Sequence, residues 1–557
     1  MKKFLKITAI TLASLIALFV LLIAAIIIAD EFLTFTPPPV DVPEDGVMLE
    51  KHSGFAECHG GKIRLNEAGT YELLLEGSAD ERGIAYSTLA PQLIRYQEDI
   101  FISQIRSVIP SERYIRFLRK LIGFFARNLN DKYFPEEYRR EIFGISLAAD
   151  SSEAYEFIGT PYERQINYHA AHDFGHVMQS YLLVGCSSFA AWDEFSADSA
   201  LIVGRNFDFY FGDDFARHKI ILFVRPEYGI PFVSISWPAM IGVVSGMNTE
   251  GLTVTINAAK GNMPLETRTP ISILVREILQ YASTIDEAYQ IANQYDTFVA
   301  ESILVASAKE HRAAIIEKSP SAIALYETEN HAIACSNHYQ SKLFENEEYN
   351  IENIALSDSK YRLDRMHELI DSLRPIDENR AAEILRNRFG LGGKDIGIGN
   401  EKSINQYIAH HSVIFKPDSL QVWVSTAPWQ SGAMNCYDLR EVFDADFSNE
   451  IARHELDIIP DSQAIKNDVA RKVRYDAIAA SVKQATKDKV SISNFMLDEL
   501  TRLNPELYKT YTLRGDYFAT QYFINQAINE YNIALTKEIP YVSIREEIEK
   551  KIRKLSN

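Results

Sequence analysis

The chain has 557 residues, more than one hydrophobic core usually holds, and its 46% apolar and 24% charged residues are ordinary for a folded enzyme. Its 76 acidic against 57 basic residues leave a net charge of −19, which argues against a nucleic-acid partner because phosphate binding needs a basic surface. Four cysteines, Cys58, Cys186, Cys335 and Cys436, are too few for a disulfide scaffold and lack the paired spacing of a metal site.

Lys2, Lys3 and Lys6 precede an apolar run from Ile7 to Ala29, broken only by Thr8, Thr11 and Ser14. About 23 residues suffice to span a bilayer as a helix, and the positive flank puts the N-terminus inside. Residues 1–29 are therefore expected to form a signal-anchor, or a cleaved export signal, leaving the rest extracytoplasmic: periplasmic or at the cell surface. Pro37, Pro38, Pro39 and Pro43 predict a stiff stalk over 30–57. From 58 to 185 the pattern reads as mainly helical. Leu93–Phe101 and Tyr114–Leu129 carry apolar residues three and four apart, Pro135 opens another helix, and Tyr168–Leu183 looks like one more, ending at Gly185.

At Cys186 the texture turns to short β-type runs: Ser187–Trp192, Ala200–Val203, Ile220–Arg225, Phe232–Ser236, Ile241–Val244 and Leu252–Asn257. Helices over Ile271–Tyr281 and Ile285–Tyr295 precede strands Ser302–Ala306, Arg312–Glu317, Ile323–Glu327 and His331–Ser336. A helix-rich stretch from Ser359 to Arg388 leads to a last pair, His411–Phe415 and Leu420–Ser425. The order predicts an α+β unit over 186–446, with two sheets stacked between helical layers. A helical tail fills 447–557. Within it Tyr511, Gly515, Phe518, Ala527, Tyr531 and Ala534 match the spacing of one tetratricopeptide-like hairpin. A single repeat cannot bury its own face, so a hairpin packed on the enzyme's flank is favoured over a partner-binding array.

The chemistry concentrates in Gly185-Cys186-Ser187-Ser188-Phe189-Ala190-Ala191-Trp192 and Gly204-Arg205-Asn206-Phe207-Asp208-Phe209. A cysteine after glycine at the mouth of a strand can be freed by backbone cleavage, because glycine permits close approach and strain. Once freed, Cys186 carries its own α-amine, a base usable near neutral pH. Arg205 favours thiolate, and Asp208 can hold the new ammonium. Asn257 and Asn337 stand at strand ends where an oxyanion needs donors.

GCSSFAAW, GRNFDF, GMNTEGLTVTINA and ACSNHY resemble the acyl-CoA:6-aminopenicillanic acid acyltransferase family, peptidase family C45. They are more distantly similar to choloylglycine hydrolases and acid ceramidase. The resemblance runs from about Glu76 to Ser425, through PEEYRREIFGISLAA and HHSVIFKPDSLQVWV. It implies a four-layer αββα N-terminal-nucleophile hydrolase sandwich, self-cleavage between Gly185 and Cys186, and acyl transfer from a small-molecule amide through a thioester. By position it implies Cys186 as nucleophile, Arg205 and Asp208 as its orienting and activating partners, Asn337 as oxyanion donor and Asn257 as a further site residue. Arg362 matches another site position, with Arg365 a rival. The anchor and the tail fall outside the shared core.

Other readings stand beside this one. His169, His172 and His176 fall on one helix face and suit a metal, with Asp173 between them, yet no HExxH glutamate is present. A packed face is the expectation, and neither metal nor cofactor is called for. A catalytically dead envelope binding protein whose tail recruits a partner is the alternative function.

Overall fold

The computed structural model describes residues 35–43, 46–126, 129–170, 173, 183–262, 264, 267–460 and 462–556. The expected membrane helix over 1–29 lies outside these residues, and of the helix expected over Tyr168–Leu183 only 168–170, 173 and 183 are described, Leu183 within a strand. Among the described residues no helix is long and apolar enough to cross a membrane.

Among the described residues the strands are β1 (Glu50–Lys51), β2 (Phe55–Cys58), β3 (Gly61–Leu65), β4 (Tyr71–Gly77), β5 (Leu183–Val184), β6 (Ser187–Asp193), β7 (Ser199–Phe207), β8 (Phe209–Tyr210), β9 (Ile220–Pro226) and β10 (Phe232–Ser236). They continue with β11 (Ser245–Asn248), β12 (Leu252–Ala258), β13 (Glu301–Ser307), β14 (Arg312–Lys318), β15 (Ile323–Tyr326), β16 (Ala332–Cys335), β17 (His411–Lys416), β18 (Gln421–Ser425) and β19 (Met434–Asp438). A large sheet runs β1-β2-β3-β4-β9-β10-β11-β12-β13-β14-β15, and a smaller one β16-β6-β7-β17-β18-β19. Strands β5 and β8 form a short ladder of their own. Neighbours are antiparallel except β4 and β9, which pair in parallel from Tyr71 opposite Ile220 to Gly77 opposite Pro226.

Successive side chains on a strand point to opposite faces, and this alternation sorts the core into layers. Leu74, Ile221, Phe223, Val233, Leu304 and Ile315 of the large sheet meet Ala190, Trp192, Val203, Val413 and Phe415 of the small one. The opposite face of the large sheet (Leu73, Leu75, Leu222, Val254, Ile303) lies under helices Ala79–Leu89, Glu136–Ser146, Ile271–Tyr281 and Ile285–Gln294. The opposite face of the small sheet (Phe189, Ala191, Ile202, Ile414) lies under helices Ser359–Leu373 and Glu378–Leu385. Helix, sheet, sheet, helix is the resulting order.

Three local expectations change. The stretch after Cys58 opens with strands, because the Leu73–Leu75 run finds β9 as a partner, and a short apolar run is ambiguous until one is supplied. Ile241–Val244 is irregular: the Val243 N–H donates to the Ser272 carbonyl, and the Val244 carbonyl accepts from Ile256 and Arg205. The described proline-rich residues lie against the molecule. Phe35 packs on the core, while the carbonyls of Thr36 and Pro39 accept from Asn130 and Arg140.

The tail folds into helices Ser462–Asp488, Asn494–Leu503, Tyr508–Thr520, Ile524–Leu535 and Val542–Ser556 around their own apolar cluster. It rests on the 394–402 loop of the sandwich unit. Asn504 exchanges two hydrogen bonds with the Ile398 backbone, at 3.0 and 2.8 Å, and Glu538 takes Lys394 and Lys402, each at 2.8 Å.

Candidate functional site

The inner face of the sandwich is apolar at one end and polar at the other. On β12, Leu252, Val254 and Ile256 point to the helices, so Thr253, Thr255 and Asn257 point toward the small sheet. Buried polar groups of this kind need partners or a task. Cys186 sits at that polar end, 1% exposed, one residue before β6. Arg205 lies opposite Ser188 in the β6–β7 ladder, which places its guanidinium at the start of β6. Its Nη2 donates to the Cys186 Sγ at 3.5 Å. The Val244 carbonyl, at 2.8 Å, the Ile256 carbonyl and the Ser245 hydroxyl hold the rest of the fork. Ser245 also shares a 2.8 Å hydrogen bond with His411 Nε2.

Asp208 follows β7, fully buried, and its carbonyl accepts from the Gly185 N–H at 3.1 Å. Neither of its carboxylate oxygens has a hydrogen-bond partner among the described residues. Burial pushes this carboxyl up to about 7, against the pull of Arg362 and Arg205. Burial likewise pushes the Cys186 thiol up, with Arg205 pulling the other way.

Arg362, on the Ser359–Leu373 helix, ties the remaining pieces together. Its Nη1 donates to the Cys186 carbonyl at 2.7 Å and to Ser187 Oγ at 3.0 Å. Its Nη2 donates to Asn337 Oδ1 at 2.6 Å, and its Nε pairs with Asp358 at 3.0 Å. Arg365 instead meets Glu368 and Asn387. Asn337, just past β16, gives one amide hydrogen to the Ala258 carbonyl at 2.8 Å and keeps a second. Asn257 accepts from Ser188 Oγ at 2.9 Å and donates to the Cys335 carbonyl at 3.2 Å, bridging the two sheets.

The structure therefore brings Gly185, Cys186, Arg205, Asp208, Asn257, Asn337 and Arg362 into one cluster. Both ring nitrogens of His169 are engaged within the protein: Nδ1 contacts the Gln165 carbonyl at 2.7 Å and Nε2 accepts the Ile241 N–H at 3.1 Å. Asp173 accepts the Ile271 N–H at 2.9 Å, whereas His172 and His176 lie outside the described residues. All four cysteines are free thiols. Ser359 Oγ accepts the Asn337 N–H at 2.8 Å, and Gln406 Nε2 donates to the Gly185 carbonyl. Sequence reasoning missed both, together with Ser245 and Asp358, since none of them stands in a local pattern.

Residues 195–424 match the family model described as acyl-coenzyme A:6-aminopenicillanic acid acyl-transferase. The chain resembles that family. The matched stretch holds Arg205, Asp208, Asn257, Asn337 and Arg362 and begins after Cys186. An uncharacterized protein of Archaeoglobus fulgidus is 24% identical over 65% of this chain and 65% of its own length. An N-acylethanolamine-hydrolyzing acid amidase of Caenorhabditis elegans is 26% identical over 38% of this chain and 58% of its own. The chain thus spans less than two thirds of the curated relatives it matches. A conjugated bile acid hydrolase from Clostridium perfringens aligns with a TM-score of 0.32 at 10% identity, over 48% of this chain and 95% of that one.

Proposed function

We propose that this protein is a self-processing N-terminal-nucleophile hydrolase or acyltransferase that opens an acyl amide through a thioester on Cys186. The observation that carries the reading is Cys186 itself: a buried thiol under the Arg205 guanidinium, next to a buried carboxylate that lacks a hydrogen-bond donor. Scission before Cys186 creates an ammonium beside Asp208, which supplies the donor that carboxylate lacks. The free amine then accepts the thiol proton, and the thiolate attacks the acyl carbonyl. Asn337 stabilises the oxyanion with its second amide hydrogen. The ammonium protonates the leaving amine, and water or another amine resolves the thioester. The family resemblance and the acid amidase relative support an amide as the bond attacked. The N-terminal apolar run supports an extracytoplasmic setting.

Wild-type protein should run as two bands on a denaturing gel, one ending at Gly185 and one beginning Cys-Ser-Ser-Phe, yet elute as one species under native conditions. Cys186→Ala should give one uncut band and no amidase activity. An active wild-type enzyme that stays a single chain would exclude self-processing.

A further inference from the structure

The bond to be cut has a second neighbour that the roles above do not use. Gln406, 3% exposed, lies in the segment leading to β17, and its Nε2 donates to the Gly185 carbonyl oxygen at 3.3 Å. That carbonyl belongs to the peptide bond before Cys186. The contact also explains the glycine. Gly185 is not among the glycines with positive φ, so backbone strain is not what excludes a side chain. A Cβ placed there would sit 2.3 Å from the Gln406 amide nitrogen and 3.1 Å from its oxygen. The room a side chain would take is occupied by the donor.

The segment that carries Gln406 is held from several sides. Asn405 donates no freedom to it: its N–H bonds the Asn387 carbonyl, and its Oδ1 accepts from Tyr407 N–H at 3.0 Å and from Gln430 Nε2 at 2.7 Å. Tyr407 takes a left-handed φ of 55° to turn the chain into β17. The tail buttresses the same loop a few residues upstream, through Asn504 on Ile398 and Glu538 on Lys402. A donor fixed before the reaction costs no reorganisation when charge develops.

We infer that Gln406 is a catalytic residue of the self-cleavage, donating its side-chain amide to the oxyanion that forms on the Gly185 carbonyl oxygen. This inference rests on the self-processing reading. In the step, which needs Asp208 ionised and so runs above about pH 7, the Cys186 thiol gives its proton to the Asp208 carboxylate and Sγ bonds to the Gly185 carbonyl carbon, while the C=O electron pair moves onto the oxygen held by Gln406. Collapse breaks the bond to the Cys186 nitrogen, which leaves as an amine after taking the proton back. The resulting thioester is hydrolysed by water, giving a carboxylate on Gly185 and a free thiol on Cys186. Arg362 holds the carbonyl on the other side of Cys186, so the two residues fix the two carbonyls that flank the nucleophile.

The test follows the rate at which freshly refolded full-length precursor yields the Cys-Ser-Ser-Phe terminus, by intact mass. Gln406→Met, which keeps the side chain's length and removes the donor, should slow scission about 10²–10³-fold, with the thermal midpoint of the precursor unchanged. Gln406→Glu should be slower than wild type at alkaline pH, and the gap should narrow as acid protonates the carboxyl and restores a donor, a relative rescue that a space-filling role does not give. Scission of Gln406→Met at the wild-type rate overturns the role of Gln406 and leaves self-processing standing. If Gln406→Met fails to fold, Gln406→Glu decides: a rate equal to wild type at every pH overturns the inference, and a rate that rises relative to wild type on acidification supports it. A wild-type precursor that never yields the new terminus overturns the self-processing reading and this role with it.

Discussion

A carboxylate buried without a donor is costly, and Asp208 avoids the cost in the uncut chain by keeping its proton to about pH 7. The unfolded chain releases that proton near 3.8. Between these values the folded, uncut chain binds more protons than the unfolded one, so its stability falls as pH rises through the window. The urea midpoint of Cys186→Ala should therefore drop between about pH 4 and 7. Adding Asp208→Asn should make that part of the profile less steep, because an amide has no proton to lose. Identical slopes in the two variants would mean that Asp208 is not the group responsible. In the cut enzyme the new ammonium should draw the Asp208 pKa down again. On the proposed reading, cleavage would turn a destabilising acid into one half of an ion pair.

Pairs of elements are fixed mainly by close backbone approach and by charges sealed between layers. Helices Ala79–Leu89 and Glu136–Ser146 cross at two glycines. A Cβ on Gly83 would lie 2.3 Å from the Glu141 carbonyl oxygen, and one on Gly144 would lie 2.5 Å from Gly83. Beside the crossing, Glu141 takes Arg82 at 2.8 Å and Arg276 at 3.2 Å, all three buried. The two arginines hold its carboxyl below the usual range against the upward push of burial. Gly83→Ala should overpack the crossing and lower stability by about 1–3 kcal/mol, read from urea unfolding of the uncut variant. An unchanged midpoint would show that the helices separate without cost. Arg276 lies beyond the proposed cut and Glu141 before it, so their bridge is one of the links joining the two product chains.

Across the molecule, the parallel pairing of β4 with β9 builds the segment before Cys186 into the large sheet. The tail is joined as firmly, with Asn504 satisfying both polar groups of Ile398 and the Leu507 backbone packed against Gly397. Asn504→Ala should leave the buried Ile398 N–H and C=O unmatched and cost about 1–3 kcal/mol. A differential-scanning trace of the full chain reads this as a lower midpoint. Loss of tail binding to some other protein, with no change in midpoint, would favour the tail as a docking arm instead.

Much of the architecture is written locally. The alternation in Ser187–Asp193, Ile220–Pro226 and Leu252–Ala258 and the three-to-four spacing in Ile271–Tyr281 are visible without a partner, and the elements form where the spacing places them. Cys186, Arg205 and Asp208 were legible for a related reason: a short hairpin returns the chain to the start of β6, so residues close in sequence stay close in space. The Met434–Asp438 strand and the β1–β4 edge were not, since each is a short run that becomes a strand only when a neighbouring strand takes its hydrogen bonds. Arg362 and Gln406 stand 176 and 221 residues from the groups they hold. Which arginine of the Ser359–Leu373 helix meets Cys186, and which glutamine meets Gly185, depends on how that helix seats on the small sheet and how the tail braces a loop. Periodicity belongs to each segment alone, whereas contact across the sandwich belongs to the register of every strand between.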